Sequence, residues 1–283
     1  MTSIVTVGYQ QADLVVEGRA VRRLGDTLSR EGLADLVDLT RDAITAGRHV
    51  LVVYPAWSAE PTRARIQIVR SSLETTRLVG YATSATPLAG AVLASLTDAL
   101  VRYLPSAGLL LAALPLLERQ LIAVTWLARV CGLADPAPTV WQHLASWWPQ
   151  SAFVATSWPW PAVRQIGGPG DFVDLPRARA PIGLAVASRN GDEGWVQRCV
   201  IPQLGLKPRI HEVAPSPLGP RRWGCKRLVE VVVYPLDIES TAEALTRTLR
   251  VRRCGECREE IATEMCLLCG AGAAARELVS VGG

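Results

Sequence analysis

Lysine is almost missing from this chain. Lys207 and Lys226 are the only two among thirty basic residues, so the positive charge is carried by arginine. With the abundance of alanine, that bias matches the codon usage of a GC-rich bacterial genome and is no evidence of arginine-specific chemistry. Phenylalanine is also scarce, with two residues against nine tryptophans. Histidine occurs three times, at His49, His143 and His211, too widely spaced for an H-E-x-x-H zinc helix. There is no G-x-x-x-x-G-K-S/T phosphate loop, no G-x-G-x-x-G opening a helix, and no G-x-S-x-G nucleophile elbow. The glycine-rich stretch 167–170 contains Pro169, which removes a backbone donor that a phosphate cradle uses, so a plain turn is expected there. No apolar run reads as a membrane span. Residues 78–97 are uncharged but rich in Thr, Ser, Gly and Pro, and residues 103–117 end at Glu118-Arg119 after too few positions. The first seven residues lack the basic and apolar segments of a signal peptide, so a cytoplasmic protein is expected. A net charge of +4 permits an acidic partner and requires none.

What is present is a pair of Cys-x-x-Cys motifs. Cys254-Gly-Glu-Cys257 and Cys266-Leu-Leu-Cys269 are separated by eight residues. Each motif folds as a tight turn that brings two thiolates onto one cation. Two such turns make a closed tetrahedral site with Zn–S near 2.3 Å and no open position. Gly270 follows the second pair, where a sharp turn favours glycine, and Arg258 takes the equivalent place after the first. The pattern resembles a short zinc ribbon of the kind found at the ends of many bacterial proteins, and the resemblance covers only this tail. It implies a structural Zn(2+) held by Cys254, Cys257, Cys266 and Cys269. Four thiolates accept iron as well. A redox dithiol fits less well, because the pairs lie close together and outside a strand-to-helix turn. A closed site is not catalytic, which makes the tail a folding staple or a docking module. Cys131, Cys199 and Cys225 are scattered in or beside apolar runs and read as small core residues, in keeping with a reducing compartment.

The body alternates strand and helix patterns. Strands are expected at 3–7, 13–16, 49–54 and 77–83, the third a continuous apolar run of the kind buried on both faces of a parallel sheet. Residues 25–46 form an amphipathic helix and 87–104 a strong one beginning at a Thr-Pro signal. Residues 106–131 read as one long apolar helix kinked at Pro115, and 62–70 fit helix or strand. A stretch rich in proline, tryptophan and glycine follows, either packing over a core or forming a binding platform. Beyond it come strands at 182–188, 209–213 and 227–234 and helices at 194–204 and 238–249. Val52-Val53-Tyr54-Pro55 recurs as Val232-Val233-Tyr234-Pro235.

The expected fold is α/β, a mostly parallel sheet flanked by helices, in two lobes that the repeated tetrapeptide would relate, with a small C-terminal zinc ribbon. The chain divides into an α/β lobe with long apolar helices (1–134), a Pro/Trp/Gly-rich connector (135–180), a second α/β lobe (181–250) and the ribbon with its tail (251–283). The leading functional expectation is a non-enzymatic scaffold or adaptor whose ribbon docks other protein subunits, with no membrane partner. One alternative is nucleic-acid binding through Arg221, Arg222, Trp223, Lys226, Arg227, Arg252 and Arg253, where arginines beside an indole suit phosphates and bases. Another is an enzyme whose cleft lies at the carboxyl ends of the strands, near Asp171, Asp174, Asp237, Glu239 or the His211-Glu212 pair.

Overall fold

The computed structural model describes residues 2–9, 21–24, 29–148, 151–158, 160–167, 175–177 and 181–272. The strand expected at 13–16, the turn at 168–170 and the carboxyl groups of Asp171 and Asp174 lie outside the described residues.

Strands β1 (Thr2–Val7), β2 (Arg22–Leu24), β3 (His49–Pro55) and β4 (Leu78–Thr83) form an all-parallel sheet in the order β2-β1-β3-β4. Every residue of β3 is buried, as its unbroken apolar run requires. Helix α1 (Arg30–Thr45) starts at Ser29, whose hydroxyl accepts from the Gly32 amide at 3.0 Å. Residues 62–70 belong to helix α2 (Ala59–Ser72), because Thr62, Ile66 and Val69 fall on one helical face. Leu36 of α1 and Ile66 and Val69 of α2 pack on one side of the sheet against Val5, Val50 and Val52. The other side, with Ile4, Leu51, Val53 and Val79, packs on helix α3 (Pro87–Leu100). Thr86 caps α3 by accepting from the Ala89 amide, and Pro87 occupies the first helical position.

The second sheet corrects the mostly parallel expectation. Helix α4 (Ala107–Glu118) ends where a continuous helix to 131 was expected, and strand β5 (Ile122–Leu127) follows. Pro115 sits in the last turn of α4, and β5 pairs with strands about thirty and a hundred residues later, which no local pattern specifies. Helix α5 (Val140–Ala145) leads to β6 (Ala152–Trp158) and β7 (Ala162–Ile166). Then come β8 (Ile182–Arg189), β9 (Arg209–Glu212), helix α6 (Gly219–Trp223), β10 (Leu228–Pro235) and helix α7 (Ile238–Thr248). The order is β7-β6-β5-β10-β8-β9, antiparallel at every pairing but β8 with β9. Val52–Pro55 and Val232–Pro235 therefore sit in unlike surroundings: β3 lies between two parallel neighbours, β10 between two antiparallel ones. The two sheets are not copies of one lobe.

The apolar helix α3 lies between the sheets, with α4 packed against it and against α7. Side chains alternate along β10, so Val232 and Tyr234 face this helical layer while Val229, Val231 and Val233 face outward onto Trp195, Val196, Val200 and Leu204. A helix that is apolar all round is stable only when covered on both sides, and α3 meets that condition between two sheets. The chain closes with a two-stranded hairpin, β11 (Arg252–Arg253) and β12 (Glu260–Ile261), around the cysteines. Among the described residues no helix is long and apolar enough to cross a membrane.

Candidate metal centre and polar junction

The two knuckles of the hairpin are built alike. The Arg258 amide donates to the Cys254 carbonyl at 3.1 Å, and the Gly270 amide donates to the Cys266 carbonyl at 2.8 Å. Both residues after the second cysteine adopt left-handed backbone, Arg258 at φ 60° and Gly270 at φ 80°. Arg258 thus takes a conformation that glycine adopts without cost. The four sulfurs lie within 4.8 Å of one another, with Cys254–Cys269 and Cys257–Cys266 each at 3.6 Å. A tetrahedron of 2.3 Å bonds has edges of about 3.8 Å, so the thiols already stand where one metal ion would draw them. Burial pushes the Cys257 and Cys266 thiols up. Cys254 is desolvated too, yet the Cys257 and Glu256 amides hold it down to about 7. The donor set therefore suits a thiophilic ion that displaces the remaining protons.

This hairpin is seated in the body of the protein. Cys254, Ile261, Cys266 and Leu268 join the same core cluster as α3 and α4. The Ser106 hydroxyl donates to the Glu260 carbonyl at 3.0 Å, Arg70 of α2 donates to the Leu268 carbonyl at 2.6 Å, and His49 lies 3.5 Å from Glu259. Gly108 marks the closest approach, since a Cβ there would stand 2.1 Å from the Glu260 carbonyl oxygen. Gly108→Ala is expected to lower stability by about 1–3 kcal/mol through this overlap, and chemical denaturation of both proteins checks it. An unchanged midpoint would mean that the ribbon is not held against α4.

A second group of polar side chains collects where the sheets meet, at the carboxyl ends of β1, β3 and β4. Glu118, the last residue of α4, accepts from the hydroxyls of Tyr81 (2.9 Å), Thr83 (2.7 Å) and Ser84 (3.4 Å). Across the junction, Glu230 of β10 faces α3 and is 1% exposed. Its Oε1 accepts from Trp223 Nε1 at 3.1 Å, while Oε2 has no partner in good hydrogen-bond geometry among the described residues. Desolvation raises its pKa from an ordinary 4.5 to about 7, against the opposing pull of Trp223, the Leu88 amide and Arg222. Tyr9, just past β1, is fully buried, and its hydroxyl has no hydrogen-bond partner among the described residues. Its pKa is driven up by burial and by the Glu118 charge. Three hydroxyls thus commit their single protons to the Glu118 carboxylate beside the capped start of α3. Glu230 was not singled out from the sequence, where its available signal is that it is the one charged residue of β10. Glu118 gave no such signal, because its partners come from β4.

The basic residues singled out from the sequence do not form one surface. Trp223 is buried against Glu230, and Arg222 is held by Asp135 at 2.8 Å with its guanidinium over the rings of Trp57 and Trp223. Arg221, Lys226 and Arg227 are exposed, whereas Arg252 and Arg253 lie on β11. Asp237 caps α7 through the Ser240 amide, and Glu239 is exposed in the first turn. His211 lies near the Tyr234 ring with its pKa lowered by burial and by Arg209, and Glu212 is exposed beyond it. These carboxyl and imidazole groups are not brought together in a cleft.

No protein-family model matches the sequence, and no curated protein matches it. Solved structures do. A DegV family protein from Corynebacterium glutamicum superposes with a TM-score of 0.57 at 11% identity, covering 83% of this chain and 97% of that one. A structure from Thermus thermophilus, described as fatty acid binding of a DegV family protein, gives a TM-score of 0.57 at 16% identity over 83% and 99%. The fatty acid kinase B3 protein of Streptococcus pneumoniae, loaded with linoleic acid, gives 0.52 at 12% identity over 83% and 99%. These neighbours correct the expectation of a ribbon-based docking scaffold. They extend over nearly the whole body, two of them are described by fatty acids, and the ribbon itself is packed into the core. Nucleic-acid binding loses its support as well, because Arg222 and Trp223 are engaged inside the protein. The chain has the α/β fold of DegV-family structures, with mixed sheets flanked by helices.

Proposed function

We propose that this chain binds a long-chain fatty acid, its acyl chain against the apolar helices α3 and α4. The observation that carries this reading is the extent of the likeness to structures described as fatty-acid-binding, 83% of this chain and 99% of theirs. The physical support is the apolar helical layer of α3 and α4, which offers an acyl chain a wholly apolar neighbourhood. The Streptococcus pneumoniae neighbour belongs by name to a fatty acid kinase, and we extend that to a partner subunit that acts on the carboxyl group of the bound acid. A structural zinc ion at Cys254, Cys257, Cys266 and Cys269 completes the reading, pinning the ribbon over α2 and α4. Solvent extraction of the purified protein followed by mass spectrometry is expected to return a long-chain fatty acid near one per chain. Delipidated protein should bind stearic or linoleic acid in native mass spectra. Neither a co-purified acid nor a complex with added acid would overturn the proposal.

A further inference from the structure

Five large apolar side chains stand in solvent on α5 and the turn that follows it. Val140, Trp141, Leu144, Trp147 and Trp148 are 54–81% exposed. Their spacing of i, i+1, i+4, i+7 and i+8 places them on a single helical face, and the turn continues past α5 through the Trp147 amide to the Leu144 carbonyl and the Trp148 amide to the Ala145 carbonyl. The opposite face is fastened to the protein. Thr139 and Gln142 form a reciprocal capping box, and Gln142 Nε2 donates to the Val163 carbonyl at 2.7 Å. The Ser146 hydroxyl accepts from the Val130 amide at 3.0 Å, and the Ser151 hydroxyl donates to the Ala145 carbonyl at 2.6 Å. The indoles are therefore presented outward on a fixed platform.

Charge accompanies them. Trp148 borders an open cleft of about 990 Å³ that is also lined by Arg129, Arg198, Lys226 and Arg227. All four cations are exposed. Among the described residues the one carboxylate lining the cleft, Asp192, is paired with Arg198 at 2.6 Å. A large exposed apolar patch on a folded protein marks a contact surface. Indoles favour the layer where acyl chains meet polar headgroups, because they are apolar over most of their area and carry one N–H donor. Exposed basic side chains beside them are drawn to anionic headgroups.

We propose that the Val140–Trp148 face and the adjacent basic cleft dock this protein on the surface of an anionic phospholipid bilayer, lying in the interface without crossing it. The proposal rests on exposed residues far from the helical layer and does not depend on the reading of the interior. Co-sedimentation with vesicles of phosphatidylglycerol and phosphatidylcholine in equal parts, compared with phosphatidylcholine alone, tests it. Binding is expected on the anionic vesicles, weakened at high salt, and lowered about tenfold by Trp147→Ser or Trp148→Ser. The double variant Lys226→Gln/Arg227→Gln is expected to lower binding on anionic vesicles alone. Because these side chains are exposed, thermal melts of the variants should match the parent and separate lost docking from lost folding. No binding to anionic vesicles, or binding unaltered by the tryptophan variants, would overturn the proposal. So would a concentration-dependent dimer that the tryptophan variants abolish. Fatty-acid content is read by extraction from the vesicle-free protein, so either idea can fail alone.

Discussion

Cys266→Ser is expected to lower the thermal unfolding midpoint by about 10 °C and to abolish the metal binding proposed for the four thiols. Cys266 is 1% exposed and shares a core cluster with α3 and α4, so its loss opens more than a surface loop. Structural zinc contributes folding free energy directly, because the unfolded chain has no preformed site. A loss of about 3 kcal/mol or more corresponds to some ten degrees in a chain of this size. The effect should spread to residues held by the ribbon, including Arg70, Ser106 and His49. Calorimetry with elemental analysis measures both quantities. Cys131→Ser serves as the control, since Cys131 is exposed and outside the cluster, and it should leave midpoint and metal content unchanged. A parent protein without bound metal, together with a Cys266→Ser midpoint equal to that of the parent, would refute the structural assignment.

The second large effect belongs to Glu230 and to pH. Its pKa is about 7 in the folded protein against an ordinary 4.5 in the unfolded chain, so the folded state binds the proton more tightly. Stability is then unaffected by this group below pH 4.5 and falls as pH rises from there to about 7. Above that it stays lower by about 3 kcal/mol. Glu230→Gln keeps an acceptor for Trp223 Nε1 and removes the ionisation. The stability of the variant relative to the parent should therefore climb by about 3 kcal/mol between pH 4.5 and pH 7 and level off beyond. Urea unfolding at half-unit pH steps gives this difference curve. A flat difference would show that Glu230 ionises in the folded protein as it does in water.

Several features were legible before any tertiary structure because their causes are local. The Thr-Pro start of α3, the Asp237 cap of α7 and the apolar run of β3 each depend on a few consecutive residues. Residues 122–127 were misread because Ile, Val and Trp serve a buried strand as well as the end of an apolar helix. Pairing with β10 settles the matter. The strand–helix rhythm after residue 181 implied parallel crossovers. It holds for β8 with β9 alone, since β10 inserts between β5 and β8 in the antiparallel sense. The tryptophans split in the same way. Trp195 and Trp223 are buried by partners distant in sequence or by a neighbouring strand, while Trp141, Trp147 and Trp148 remain in solvent.

Taken by itself, the sequence determined the four clustered thiols and the turns that carry them, because two Cys-x-x-Cys pairs eight residues apart bring their sulfurs together by local geometry. It also determined an α/β chain whose apolar runs are broken by polar, proline or charged residues before bilayer length, whereas the expected helix over 106–131 was cut to α4 by the fold. Only the tertiary structure decided that the ribbon is packed into the core, that the second sheet is antiparallel, and that hydroxyls of β4 converge on a carboxylate from α4. It alone decided that one face of α5 is left uncovered. The reason is that burial and pairing are made by residues tens to hundreds of positions apart, and the same Glu, Trp or apolar run serves either side of a surface until its neighbours in space are known.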